Sequence, residues 1–412
     1  MEKKDERIIE ITHDVKWLGI LDYDIETFDI VMHTKFGSTY NSYYIDAPKK
    51  TLVDIAKEKF LDTYLAKLAT VTNPAEISYI VCNHTEPDHS GSLRKLLAIA
   101  PDAVVVGSGN AIRYLEDILN IPFKSQVVKD GDTLDLGDKT LRFVSAPNLH
   151  WPDSIYSYLE EEKLLFTCDS FGAHYCKAEM TDDLTTDYIS AHKYYFDVIM
   201  RPFSRFMLKA IERVKALDPE YICPGHGPIL HSSVKQIVAL TEKYATDYIN
   251  TTSVAAKRHL LIAYVSAYGY TKEAAEILRD AVMEAGNFTI DTVDIEHLNA
   301  GELENLVIAS DAFLVGSPTI NQNTLGPVYL LFSVMNPIRD RGKLAGSFGS
   351  YGWSGEAPKI IIENLKNLKL KVFEEPAMFK FRPGNAKTEM LRDYGRRFGA
   401  MFEAECAQKE RG

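Results

Sequence analysis

The chain has 412 residues, room for two or three domains at roughly 100–200 residues each. Hydrophobic residues at 46% and charged residues at 25% are an ordinary globular balance, which excludes disorder, collagen and coiled coil. Residues 1–250 carry 27 basic and 38 acidic side chains, so −11 of the net charge of −12 sits there; such a surface repels phosphate backbones, and nucleic-acid binding is not expected. The longest apolar runs, Leu260 to Val265 and Val328 to Met335, fall far short of the roughly 18 residues of a membrane span. The charged opening MEKKDERIIE lacks the apolar core of a signal peptide, so a cytoplasmic protein without membrane association is expected. Five cysteines, Cys82, Cys168, Cys176, Cys223 and Cys406, are odd in number and show no C-x-x-C spacing, which points to reduced, mostly buried thiols.

From Val53 to about Ile237, short β-rich runs (ISYIVCN, AVVVGSG, LRFVSAP, LLFTCD, YICPGHG) alternate with helix-patterned stretches. Ile77 to Val81 runs into Asn83-His84, Leu141 to Ser145 into Ala146-Pro147, and Leu164 to Thr167 into Cys168-Asp169. Apolar strands that finish in such residues present ligands at one edge of an α/β sheet. A helix pattern covers Ser233 to Tyr248, and the polar stretch Tyr248 to Lys257 is the expected boundary between domains at 1–252 and 257–412. Beyond it, about five strands (LLIAYV, TIDTVDI, AFLVGSP, LAGSFGSYG, LKVFEEP) alternate with helices, which predicts a doubly wound parallel sheet. In the first of those helices Ala274, Leu278, Ala281 and Val282 share one face, with Gly286 as the expected C-cap.

His84-Thr85-Glu86-Pro87-Asp88-His89 puts four metal-capable side chains into six residues directly after a strand, with Pro87 to stiffen the turn. His150, Asp169 and His226 also stand at strand ends; each alone is as readily a structural hydrogen-bonder, and together with the first cluster they form a candidate metal set. His192, His231 and His297 have no such company and are expected at the surface.

The order H-x-[HE]-x-D-H followed by a distant His, Asp and His resembles the metallo-β-lactamase fold. Carboxylate at Glu86, where zinc hydrolases of that superfamily usually carry His, makes the site harder and suits iron better than zinc. With a flavodoxin-like half after it, the chain resembles the flavodiiron proteins (A-type flavoproteins) over nearly its whole length. The resemblance implies an N-terminal metallo-β-lactamase-like αββα sandwich and a C-terminal flavodoxin-like domain, an α/β protein throughout. It implies one iron held by His84, Glu86 and His150 and another by Asp88 and His226, with Asp169 bridging and His89 left outside the ligand set. His174 and Tyr195 match positions that flank the diiron pocket, and are read as donors to bound oxygen species.

Ser266-Ala267-Tyr268-Gly269-Tyr270-Thr271 lies between a strand and a helix, where backbone N–H groups and the helix dipole hold a phosphate dianion. Neither a G-x-x-x-x-G-K-[ST] nor a G-x-G-x-x-G motif is present, which weakens NTP and dinucleotide readings. The loop resembles the FMN-phosphate loop of flavodoxins, [ST]-x-[ST]-x-x-[ST], except that Tyr268 stands at the third position. Ser317, Pro318, Thr319, Ile320 and Asn321 would lie along one side of the isoalloxazine, and Ser350, Tyr351, Gly352, Trp353 and Gly355 along the other. Small residues there let the backbone approach the ring, and aromatics stack on it.

The expected function is four-electron reduction of O2 to water, with electrons passing through FMN to a non-haem diiron site. Reduction of NO to N2O on the same site is the alternative within that class. From other classes come a zinc-dependent hydrolase with an accessory flavin domain and a flavin carrier with a vestigial metal site. Glu86 and Asp169 argue against the hydrolase, because zinc enzymes seldom need so much carboxylate, and the full ligand set argues against a vestige. A separate electron donor is expected, a rubredoxin or a reduced deazaflavin. The family resemblance further implies a head-to-tail homodimer, or a dimer of such dimers, in which the FMN of one subunit faces the irons of the other, with Trp353 and Glu86 near the gap.

Overall fold

The computed structural model describes residues 7–30, 32–253, 258–373 and 375–410, without the side chains of 251–253. It divides into two compact units, Met1–Ile249 and Asn250–Gly412.

In the first unit a seven-stranded sheet runs in the order Ile9–Glu10, Val15–Trp17, Tyr43–Ile45, Thr51–Val53, Tyr79–Val81, Val104–Gly107, Lys124–Val127. A five-stranded sheet runs Thr133–Asp135, Thr140–Ser145, Ile155–Leu159, Leu164–Cys168, Tyr221–Pro224. Strand periodicity sorts the side chains between two cores. Val53, Val81 and Val106 of the first sheet meet Phe143, Leu164 and Phe166 of the second in the layer between them. Their sequence neighbours Leu52, Ile80, Val105 and Val144, Leu165 face outward onto helical residues such as Tyr64, Leu68, Leu96, Met207 and Ile211. Two sheets face to face with helices outside make an αββα sandwich, and strands covered on both sides explain the near-continuous apolar runs YIV and VVVG.

Residues 9–53, which pattern reading leaves unassigned, hold eight strands of two or three residues each, too short for any periodicity to register. The helix expected to end at Tyr248 runs Val234–Ser253, so much of the expected boundary stretch is helical; residues 254–257 of it lie outside the described residues.

In the second unit the strands lie in the order Thr289–Asp294, His259–Tyr264, Ala312–Gly316, Leu344–Tyr351, all parallel. Of the last expected strand, LKVFEEP, Lys371–Val372 is strand, and an unexpected one, Ala377–Lys380, follows it; each pairs with Leu344–Tyr351. Helices Tyr270–Met283 and Asn385–Lys409 cover one face, and Ala300–Ala309, Gly326–Val334 and Glu356–Asn367 the other, a doubly wound sheet. Gly395 and Gly399 let the long terminal helix lie against its neighbour: a Cβ on Gly399 would stand 2.8 Å from that of Ala285 and 2.9 Å from the Val282 carbonyl. Gly286 is not a C-cap. Glu284, in right-handed conformation, ends that helix, and Gly286 is small because a Cβ there would meet Glu403 and the Phe288 ring. All five cysteines are free, and among the described residues no helix is long and apolar enough to cross a membrane.

A candidate metal centre and a candidate flavin cradle

The strand Tyr79–Val81 leads into Asn83, whose N–H donates to Asp54 Oδ1 at 2.8 Å. Pro87, with its fixed φ, then starts a single helical turn, Pro87–Ser90, closed by the Ser90 hydroxyl donating to the Thr85 carbonyl at 2.7 Å. That turn aims its donors at two neighbouring points.

At the first, Glu86 Oε2 lies 3.3 Å from His84 Nε2 and 3.0 Å from His150 Nε2, and Asp169 Oδ2 lies 3.5 and 3.3 Å from the same two nitrogens. At the second, Asp88 Oδ2 lies 3.1 Å from His226 Nε2 and 3.3 Å from His89 Nε2, while Asp169 Oδ1 lies 3.5 and 3.2 Å from them. Asp169 thus gives one oxygen to each cluster. All six sequence-predicted candidates converge, and His89, which the sequence reading left outside, joins Asp88 and His226 as a third donor. Its place at the end of the H-x-[HE]-x-D-H motif was the available signal; one residue of helix after Asp88 carries its ring to the same point.

The chemistry of the donors suits metal. Both oxygens of Asp88 and Oδ2 of Asp169 are buried with no hydrogen-bond partner among the described residues, although imidazole nitrogens stand close by. Buried carboxylate oxygens left so are costly unless a cation takes their lone pairs. Two imidazoles and two carboxylates at each point make a mixed, oxygen-rich set of the kind iron accepts. The pocket strongly favours positive charge. Burial opposes ionised His150 and His89, yet the close carboxylates of Asp169 and Glu86 beside the former, and the charges of Asp88 and Asp169 on the latter, push both up to about 9. Burial likewise opposes ionised Glu86 and Asp169, but the surrounding imidazoles hold both well below the usual carboxylate range.

Behind the donors stand groups that the sequence reading missed. His84 Nδ1 lies 3.2 Å from Asp153 Oδ2, which also accepts the Thr85 N–H and hydroxyl at 2.8 Å each. His226 Nδ1–H donates to the Thr39 carbonyl at 2.5 Å. Each contact fixes the tautomer that frees Nε2 as a ligand. Asp153 had a weak sequence signal, three residues after His150; Thr39 had none. The Tyr195 hydroxyl donates to Asp169 Oδ1 at 3.0 Å, and His174 Nδ1 pairs with Ser38 Oγ at 2.8 Å. His192 is not at the surface: it is buried, bonded to the Gly172 carbonyl and the Thr241 hydroxyl, and burial lowers its pKa to about 4. His231 and His297 are exposed, as expected.

In the second unit the three candidate loops leave the carboxyl ends of adjacent parallel strands. They are tied together: Thr271 Oγ1 lies 3.3 Å from Ser350 Oγ, and the Thr319 N–H donates to the Ser350 carbonyl at 2.9 Å. Gly269, at φ +79°, turns the first loop into its helix, where Ser266 Oγ accepts the Lys272 N–H at 3.2 Å and Ala267 and Tyr270 complete the turn. Ser317 is buried and bonds the Pro318 carbonyl, Ile320 bridges to Asn323, and Asn321 takes a left-handed φ of +53°. Tyr351 ends its strand, Gly352 follows, and Gly355 opens the next helix. Tyr268 and Trp353 stand 81% and 84% exposed beside this small-residue floor. Large aromatics left so open fit a planar ring stacked against them.

Residues 39–227 match the family described as ODP family beta lactamase, and residues 262–395 match flavodoxin. The chain is 36% identical to flavo-diiron protein FprA2 of Clostridium acetobutylicum, over 95% of this chain and 98% of that one. It is 34% identical to type A flavoprotein fprA of Rhodobacter capsulatus, over 98% and 93%. Among solved structures it resembles rubredoxin oxygen:oxidoreductase from Desulfovibrio gigas (TM-score 0.67, 28% identity, 97% of this chain and 99% of that one). The flavodiiron protein from Giardia intestinalis is similar at TM-score 0.64 and 28% identity, over 98% of each chain.

Proposed function

The chain belongs to the flavodiiron (type A flavoprotein) family, and from that membership we propose that this oxidoreductase reduces O2 to water at a diiron site fed by FMN. The observation that carries the reading is the pair of donor clusters sharing Asp169, on the same chain as three loops at adjacent strand ends. Bound FMN and iron would supply two electrons each, four in all, the number that takes O2 to two waters.

His84, Glu86 and His150 are assigned to the first iron, Asp88, His89 and His226 to the second, and Asp169 to both. Asp153 and the Thr39 carbonyl hold His84 and His226 with Nε2 turned inward. The Tyr195 hydroxyl bonds the shared carboxylate and so steadies its bridging posture. Burial and the neighbouring His226 hold the pKa of His174 well below the imidazole range, so this side chain stays neutral and polar beside the cluster. The phosphate of FMN is assigned to Ser266–Thr271 and its ring to the loops 317–321 and 350–355, with Tyr268 and Trp353 against it. The electron donor is a separate redox protein such as a rubredoxin, the partner named for the Desulfovibrio gigas relative, or a reduced deazaflavin. A head-to-tail homodimer would cover the exposed rings of Tyr268 and Trp353 and carry electrons from one subunit's flavin to the other's metals.

The test is anaerobic stopped-flow mixing of fully reduced holoprotein with O2 or with NO, with iron, zinc and FMN counted in the same sample. Two irons and one FMN per chain, with flavin reoxidised faster by O2 than by NO, is the expected result. Faster reaction with NO would transfer the assignment to NO reduction, and zinc at full stoichiometry after growth in ample iron would overturn the redox reading.

A further inference from the structure

A cleft of about 420 Å³ lies between the segment Met32–Phe36 and the helix Thr186–Tyr195. Met32, Phe36, Ala191 and Tyr194 wall it together with the polar His33, Lys35 and Ser190, and His174 and Tyr195 form its floor. The floor is one side chain thick. Beyond it, the Tyr195 hydroxyl touches Asp169, and the His174 ring centroid is 4.9 Å from that of His226. His174 is 5% exposed, and its Nε2 has no hydrogen-bond partner among the described residues.

We propose that this cleft is the access and holding site for the diatomic substrate, delivering it across His174 and Tyr195 to the second donor cluster; this rests on the functional reading above. Uncharged diatomic gases prefer apolar surroundings to water, and Met32, Phe36, Ala191 and Tyr194 make most of the exposed wall apolar, with His33, Lys35 and Ser190 as its polar part. The volume is many times the roughly 30 Å³ share of a water-sized molecule, so the cleft acts as a vestibule and not as a fitted pocket. The donor clusters have a second opening, at Glu86 and His150, whose side chains are 15% and 19% exposed. That one is lined by ionisable groups and suits electron delivery. In a head-to-tail dimer a partner's flavin would cover it, leaving the gas to arrive from the other side.

The test fills the cleft without touching a metal donor. Ala191→Phe blocks it from the helix, and Ser190→Phe, at an exposed position, blocks its rim should the buried substitution fail to fold. In holoenzyme with wild-type iron and FMN, kcat/KM for O2 should fall about ten-fold, while kcat at saturating O2 changes less than about two-fold. Xenon-pressurised crystals of the wild-type holoenzyme should show xenon in the cleft, as apolar cavities take it up. Wild-type kcat/KM in an iron-replete Phe variant, or xenon bound only elsewhere, would overturn the proposal. A wild-type holoenzyme that reduces neither O2 nor NO would instead overturn the functional reading, so the two failures are distinguishable.

Discussion

Asp153 illustrates how much of a metal site is decided by a residue that touches no metal. Its Oδ2 already accepts two donors from Thr85, so that oxygen cannot be exchanged for an NH2 group without a clash of hydrogens. In Asp153→Asn the amide keeps its oxygen toward Thr85, which puts its NH2 in place of Oδ1, 3.3 Å from His84 Nδ1. That NH2 favours an accepting Nδ1 and so the tautomer with its proton on Nε2, the atom needed for iron. The variant should fold, bind FMN normally and hold iron at the first position about 10–100-fold more weakly, read as iron retained against a graded chelator. Unchanged iron retention would show that the contact does not set the tautomer. The candidate donors were legible because four metal-capable side chains in six residues are improbable for a plain surface turn. Asp153 and Thr39 were not, since a lone Asp and a backbone carbonyl acquire meaning only through distance. His192 was misjudged as a surface residue for a related reason, and the inward direction of His89 was equally illegible: burial and direction are tertiary facts, and one helical turn after Pro87 is enough to turn His89 inward.

At the scale of elements, the strand ends carried the reading. Runs such as ISYIVCN and LLFTCD gave both the strand and the chemistry that follows it, because parallel strands present their carboxyl ends at one edge. The strands of residues 9–53 left no such trace: two or three residues cannot show an alternation, and only their pairing defines them, four in the sheet of Tyr79–Val81 and four in two separate two-stranded ribbons. The second unit is self-sufficient by the same physics. Both of its cores draw their buried residues from positions 260–406, on the two faces of one sheet. A fragment from residue 257 onward should therefore fold alone and bind FMN, giving a yellow protein that cannot reduce O2 fully to water. A well-folded but colourless fragment without FMN affinity would contradict the assignment of the three loops.

For the whole molecule, the acidic excess is concentrated where the cation site lies, yet Glu86, Asp88 and Asp169 are only three of 38 acidic side chains in residues 1–250, so most of it is solvated surface. In the proposed function the two units would share an electron count: two electrons from the flavin and two from the irons, delivered to one molecule of O2. The most direct measurement is anaerobic titration of the four-electron-reduced holoprotein with O2, with flavin oxidation followed by absorbance and peroxide assayed at the end point. Complete oxidation at one O2 per chain with no peroxide is the result this account requires. Two O2 consumed per chain with matching release of H2O2 would mean two-electron chemistry at the flavin, and would contradict it.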